Sequence, residues 1–352
     1  RRYAPDGVAR GEIDLPGVGS VTHVAGSPDS SVVTFGYHSF VQPPSCYVVD
    51  LADGERRDIS PVALPEGYDP ADILIQQVNY PSKDGTPISM FVVHHRDVLL
   101  DGDNPTYLTG YGGFNISLGS GYQAALPAWL ECGGVLALPN LRGGGEYGEA
   151  WHRAGMREYK QNVFDDFIAA AEWLVEQNYT RPENLAIGGG SNGGLLMGAA
   201  ITQRPDLFGA VFCAVPLLDM LRYHHFRIAR LWIPEYGSAE EPDAFHWLRA
   251  YSPYHNVRAG TAYPAILITT GEQDSRVDPL HARKMTALLQ AATSADGERP
   301  VLLRAEANAG HGQGKPLRKR VAEAADQWGF IGWRLGMDWT APTGRGANGR
   351  PT

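Results

Sequence analysis

The sequence predicts an α/β protein, a mostly parallel β-sheet with helices on both faces, preceded by a short all-β segment. Three observations predict it. From about Glu66 onward, apolar strand-like runs alternate with amphipathic helical ones. Residues 1–65 hold only short β-rich runs, and a glycine-flanked serine sits where one strand gives way to one helix.

In the N-terminal segment, residues 32–37 and 45–50 are rich in β-branched and aromatic side chains. Turn-forming Ser27-Pro28-Asp29 and Ala52-Asp53-Gly54 bound them, so the segment reads as an antiparallel meander. A few strands bury too little to stand alone, so this meander must pack on something else. Further on, 106–109 and 135–138 read as buried strands, each followed by a glycine-rich loop. A helix is predicted over 162–177, because Val163, Phe164, Phe167, Ala171, Leu174 and Val175 fall on one face. Strands at 185–187, 210–215, 265–269 and 301–305 then alternate with helices at 193–202, 281–292 and 320–335. The division expected is a β segment over 1–65, the α/β domain over 66–339 and a disordered tail over 340–352.

Composition excludes several function classes. The chain has 352 residues, 30 basic against 39 acidic, and no long run of like charge. Nucleic acid and anionic membrane surfaces need clustered cations, so neither is an expected partner. No stretch approaches the ~18 apolar residues of a membrane span. Cys46, Cys132 and Cys213 are too few and too far apart for a disulfide framework or a zinc site. Cys132 and Cys213 read as small core residues. The expected location is the cytoplasm, with the periplasm left open because the chain begins with Arg1 rather than methionine.

The segment Leu185-Ala-Ile-Gly-Gly-Gly-Ser-Asn-Gly-Gly-Leu-Leu-Met197 contains a G-x-S-x-G match centred on Ser191. A serine at the tip of a tight strand-to-helix turn needs neighbours without side chains two before and two after it. The turn lifts the hydroxyl above the sheet and points backbone N–H groups toward a developing oxyanion. An apolar strand precedes the motif and helix formers follow it, which is the context an α/β-hydrolase nucleophile requires.

That fold takes its triad in the order serine, acid, histidine, on loops after successive strands. The strand at 265–269 runs into Gly271-Glu-Gln-Asp-Ser-Arg-Val277, placing Asp274 just past its end. Glu272 and Asp278 compete as the acid. The strand at 301–305 leads to Ala307-Asn-Ala-Gly-His-Gly312, which makes His311 the candidate base. His224, His225, His246, His255 and His281 also follow Ser191, but none sits between glycines after a predicted strand.

These residues carry a specific resemblance. Tyr111-Gly-Gly-Phe-Asn-Ile-Ser117, Asn140-Leu-Arg-Gly-Gly-Gly-Glu-Tyr-Gly148, Gln203-Arg-Pro-Asp-Leu-Phe-Gly209 and Tyr251-Ser-Pro-Tyr-His-Asn256 resemble the prolyl oligopeptidase (prolyl endopeptidase) family, its bacterial members most. The resemblance runs from about Glu66 to Trp339. It implies a triad of Ser191, Asp274 and His311, and an oxyanion hole formed by the Tyr111 hydroxyl and the Asn192 backbone N–H. It implies a proline pocket walled by Phe114, Leu217, Ile228, Trp232, Tyr236 and Val277, and an arginine, Arg276, that hydrogen-bonds the peptide backbone before the proline. No cofactor and no metal are implied.

Two local departures stand out. Ser275 occupies a position where many relatives carry a second aspartate, and Gly188 one where many have a larger polar residue. The large departure is length. The family carries a seven-bladed β-propeller beside the hydrolase, and residues 1–65 look like only its last blade or so. The expectation is therefore a fragment of a longer chain, or a chain completed by a separate propeller segment. The function implied is hydrolysis of short peptides on the C-terminal side of proline through an acyl-enzyme. The alternatives are a related oligopeptidase of basic specificity, an acylaminoacyl peptidase, an esterase, or an inactive fragment. A non-catalytic module of this fold would have lost a triad member, and none is lost.

Overall fold

Buried and half-buried residues alternate along Ser45–Asp50, as they must in a strand with one covered face. The computed structural model describes residues 1–295, 297–312 and 314–340; the tail expected over 340–352 lies, beyond Thr340, outside the described residues. At the N-terminus β1 (Arg2–Tyr3) pairs with β2 (Ala9–Gly11). Next, β3 (Ser20–Gly26), β4 (Val32–His38), β5 (Ser45–Asp50) and β6 (Arg56–Asp58) form a four-stranded antiparallel sheet in sequence order, as one propeller blade does. Phe35 and Tyr47 are cross-strand partners with rings stacked at 5.4 Å, and Tyr37 and Val49 complete this small core.

What the meander packs on is the α/β domain. Phe40 and Val41, in the turn after β4, are buried in a cluster formed by that domain, and Phe40 meets Phe91 edge-on at 5.5 Å. The Ser20 and Ser120 hydroxyls join 3.0 Å apart.

The main sheet contains β7 (Ile73–Pro81), β8 (Pro87–His95), β9 (Thr106–Thr109), β10 (Val135–Pro139), β11 (Leu185–Gly190), β12 (Ala210–Ala214), β13 (Ala265–Gly271) and β14 (Val301–Glu306). Their order is β14-β13-β12-β11-β9-β10-β8-β7. Neighbours from β10 through β14 are parallel, while β7 and β8 form an antiparallel hairpin at the edge. Both faces are covered. Ile187, Val211, Ile266 and Ile268 point into one core cluster, whereas Ala186, Ala210, Phe212 and Leu267 point into the other. Side chains that alternate in direction along one strand produce this two-sided burial.

The helices are α1 (Leu126–Glu131), α2 (Glu149–Arg153), α3 (Gln161–Glu176), α4 (Asn192–Gln203), α5 (Ile233–Tyr236), α6 (Pro242–Tyr251), α7 (Pro253–Asn256), α8 (Leu280–Ala292) and α9 (Leu317–Arg334). The predicted apolar face of α3 is buried, except that Val175 is only half-covered. The same face also buries Asp166, which the Arg142 guanidinium reaches at 2.6 Å and the Ser82 hydroxyl at 2.6 Å. This network locks the β7–β8 hairpin, the exit of β10 and α3 together. A buried carboxylate without such partners would be costly.

Gly188 has a structural reason. A Cβ there would lie 1.9 Å from the Tyr107 hydroxyl, in volume that the tyrosine already fills. Tyr107 is held in place by Gln327, whose amide donates to its hydroxyl at 3.1 Å, and by Trp328, 5.1 Å away. Gly188→Ala should therefore cost about 1–3 kcal/mol of stability as overpacking. Chemical denaturation checks this, and an unchanged midpoint sinks the account.

Candidate active site

Three glycines end β11, and the chain then reverses into α4 through Ser191 at φ 59° and ψ −116°. A non-glycine residue in that region is strained, and such strain gathers where function over-determines the backbone. Backbone packs close on both sides. A Cβ on Gly189 would meet the Gly193 carbonyl oxygen at 2.7 Å, and one on Gly193 the Gly110 oxygen at 2.9 Å. The Ser191 N–H donates to the Ala214 carbonyl (2.9 Å), and the Ser191 carbonyl accepts the Leu195 N–H (3.1 Å), opening α4. The expected oxyanion donor, the Asn192 N–H, thus lies in the first turn of a helix, where N–H groups are unpaired and the dipole favours negative charge.

Asp274 is fully buried just past β13. One carboxylate oxygen accepts the N–H groups of Arg276 (2.9 Å) and Val277 (3.0 Å). The other meets His311 Nδ1 at 2.6 Å. The His311 loop leaves β14 and folds back over β13, where the Gln273 N–H donates to the Ala309 carbonyl at 3.0 Å.

The competing carboxylates are engaged elsewhere. Glu272 pairs with Arg283 and Asp278 with Arg227. The Nδ1 of His281 accepts backbone N–H groups of Leu218 and Asp219, and burial pushes its pKa down to about 4. His255 bonds Ser252, His224 faces Glu240 at 3.6 Å, and His246 is exposed.

Ser191 and His311 share the C-terminal edge of the sheet, with no hydrogen bond between them among the described residues. The Tyr111 side chain lies beside the serine. Such contacts tighten when substrate arrives. Burial raises the pKa of the Tyr111 hydroxyl, which keeps its proton at neutral pH; Arg276, exposed nearby, pulls the other way.

The expected pocket residues separate into layers. Leu217, Tyr236 and Val277 are buried in the core, and Phe114 and Trp232 pack against it half-exposed. The Phe114 ring stands edge-on to Trp232 (6.4 Å) and Tyr236 (5.5 Å). Ile228 lies on the surface, 41% exposed. The Tyr236 hydroxyl donates to the side-chain oxygen of Asn192 (2.7 Å), whose amide donates to the Tyr111 carbonyl (2.5 Å).

Three ionisable residues that sequence reasoning passed over stand behind this wall. Glu235 accepts the Phe114 N–H (2.9 Å) and meets His152 Nε2 at 2.8 Å. Lys160, 1% exposed, donates to the Gly112 carbonyl at 2.7 Å and lies 3.9 Å from Glu235. Burial pushes the Lys160 pKa down to about 8, against the pull of Glu235. The available signal was a lone carboxylate between Trp232 and Tyr236 in an otherwise apolar run.

Comparison with known proteins places these observations. Residues 122–338 match the model of the prolyl oligopeptidase family, and residues 2–61 that of the prolyl oligopeptidase N-terminal β-propeller domain. The prolyl endopeptidase of Elizabethkingia meningoseptica is 40% identical over 338 residues, 96% of this chain and 47% of that protein. That of Dictyostelium discoideum is 41% identical over 324 residues, 91% and 42% of the two chains. A solved prolyl endopeptidase superposes with a TM-score of 0.88 at 48% identity, covering 95% of this chain and 49% of that one. Prolyl oligopeptidase B from Galerina marginata, bound to a 35-residue hydrolysis and macrocyclization substrate, gives 0.87 at 37% identity, covering 96% and 48%. The chain spans about half the length of the relatives it matches. Among the described residues, no helix is long and apolar enough to cross a membrane.

Proposed function

The chain belongs to the prolyl oligopeptidase family, and from that premise we propose that it carries the catalytic part of a serine endopeptidase that cuts short peptides after proline. The observation that carries this reading is the buried Asp274 carboxylate 2.6 Å from His311 Nδ1, at the same sheet edge as the strained Ser191. With Nδ1 donating to Asp274, the imidazole is held with Nε2 unprotonated, the form a general base needs. Ser191 Oγ attacks the carbonyl carbon of the peptide, and Nε2 takes its proton. The Tyr111 hydroxyl and the Asn192 N–H stabilise the oxyanion. The C–N bond then breaks, the imidazolium gives its proton to the departing amine, and an acyl-enzyme remains. Water, deprotonated by His311, releases the acid and restores Ser191.

Proline is the residue this pocket suits, because a rigid apolar ring packs flat against Trp232 and edge-on to Phe114. Basic specificity would need a free carboxylate in the wall. Glu235 is the carboxylate there, and Phe114, His152 and Lys160 already occupy it. Arg276, exposed near Tyr111, would bind the peptide backbone ahead of the proline. In this reading residues 1–65 end a propeller, 66–339 form the hydrolase, and further blades complete the molecule in the same chain or as a separate one. The three free cysteines fit a reducing, cytoplasmic setting.

Hydrolysis of chromogenic Gly-Pro, Gly-Arg and short acyl ester substrates tests the reading. Preference for the Gly-Pro peptide is expected, and preference for either of the others overturns it. Trp232→Ala should lower kcat/KM for the Gly-Pro peptide by about tenfold or more, with little effect on the acyl ester. An equal loss on both would remove Trp232 from the pocket.

A further inference from the structure

The loop from Tyr111 to Asn115 is strained. Gly112, Phe114 and Asn115 all have positive φ, at 60°, 58° and 56°, and two of them are not glycine. Such a loop springs away unless its surroundings hold it. Here three polar backbone groups in the bend have buried side-chain partners. The Tyr111 carbonyl takes the Asn192 amide, the Gly112 carbonyl takes Lys160 Nζ, and the Phe114 N–H goes to Glu235.

The last two partners are ionisable, almost wholly buried, and close to each other at 3.9 Å. Burying charge in this way is costly, and packing alone does not require it. Glu235 also adjoins Tyr236, whose hydroxyl fixes Asn192, and Lys160 lies 5.4 Å from the Tyr236 ring centroid. His152, from α2, takes the second oxygen of Glu235. One carboxylate therefore ties together three separate stretches of chain.

We propose that Glu235, held by Lys160 and His152, is a positioning residue that sets the Tyr111 hydroxyl and the Phe114 ring in register with Ser191. The inference rests on the oxyanion and pocket roles proposed above for Tyr111 and Phe114. Its action is indirect, because its contacts lie behind the loop. Without the carboxylate, the Phe114 N–H loses its acceptor and the buried Lys160 its counter-charge, and the loop relaxes. A displacement of ~1 Å at an oriented donor is enough to cost about a hundredfold in rate.

The test is a double-mutant cycle in the full-length protein, read as kcat and KM for a Gly-Pro anilide beside thermal melting. Glu235→Ala should lower kcat by about a hundredfold and raise KM as Phe114 shifts. Glu235→Gln keeps an acceptor for Phe114 and should recover part of the loss, about tenfold. In a Tyr111→Phe background, Glu235→Ala should cost less than about threefold in kcat, because the donor it positions is gone. Lys160→Met should behave as Glu235→Gln does, which keeps the test decisive if the alanine variant fails to fold. If Tyr111→Phe is impaired while Glu235→Gln and Lys160→Met stay within twofold of the parent, this inference alone is overturned. Full additivity, with the melting temperature as the main change, makes the cluster merely structural and also overturns it. An unimpaired Tyr111→Phe takes down the oxyanion assignment as well.

Discussion

Ser191→Ala should lower kcat on a Gly-Pro anilide by on the order of 10⁴- to 10⁶-fold, leaving only the catalysis that binding and the oxyanion donors supply. Alanine keeps the backbone but removes the atom that forms the acyl bond. The substitution should leave the fold intact, since neither the Ser191 N–H bond to Ala214 nor the Leu195 bond to its carbonyl uses the side chain. His311→Ala should cost a similar amount, and the two together no more than either alone, because they act as one unit. Burst kinetics with an activated ester check the acyl-enzyme directly. Retained turnover in the alanine variant would mean that another nucleophile operates.

The second large effect is Asp274→Asn, expected to cost about 10⁴-fold in kcat. The geometry dictates why. Arg276 and Val277 donate their N–H groups to one side-chain oxygen, so an asparagine must place its oxygen there. Its amide then faces His311 Nδ1 as a donor. The imidazole responds by carrying its proton on Nε2, and it can no longer accept one from Ser191. Asp278→Asn, where the carboxylate instead pairs with Arg227, is the matched control and should stay within about twofold. A loss below tenfold at Asp274, or equal losses at both positions, would remove Asp274 from the triad role.

Much of the fold was legible because the signals were local. An amphipathic period marked α3, short β-branched runs marked β4 and β5, and a strand-to-helix glycine turn marked the β11–α4 junction. The β7–β8 hairpin was not legible. Gln76 and Gln77 interrupt the apolar alternation of β7, and the apolar run of β8 is short, Met90 to Val93 between Ser89 and His94-His95. A short apolar run is strand or helix with equal ease.

The site divided along the same line. Ser191 was marked by its neighbours in sequence, and Asp274 and His311 by strand ends and chain order. Which carboxylate meets which imidazole needed the third dimension, as did Lys160, His152 and Glu235. Their meaning lies in converging behind one loop, with Glu235 lying 75 residues from Lys160 and 83 from His152 along the chain.

The glycines around the elbow carry a consequence for descent. Gly189 and Gly193 close on backbone atoms, so no change elsewhere in the side chains makes room at either, and both are closed to drift. Gly188 closes on a side chain, that of Tyr107. It can change, but only in company. Across homologous chains, a larger residue at 188 should arrive with a smaller one at 107, so that these two positions co-vary while the two beside them stand still.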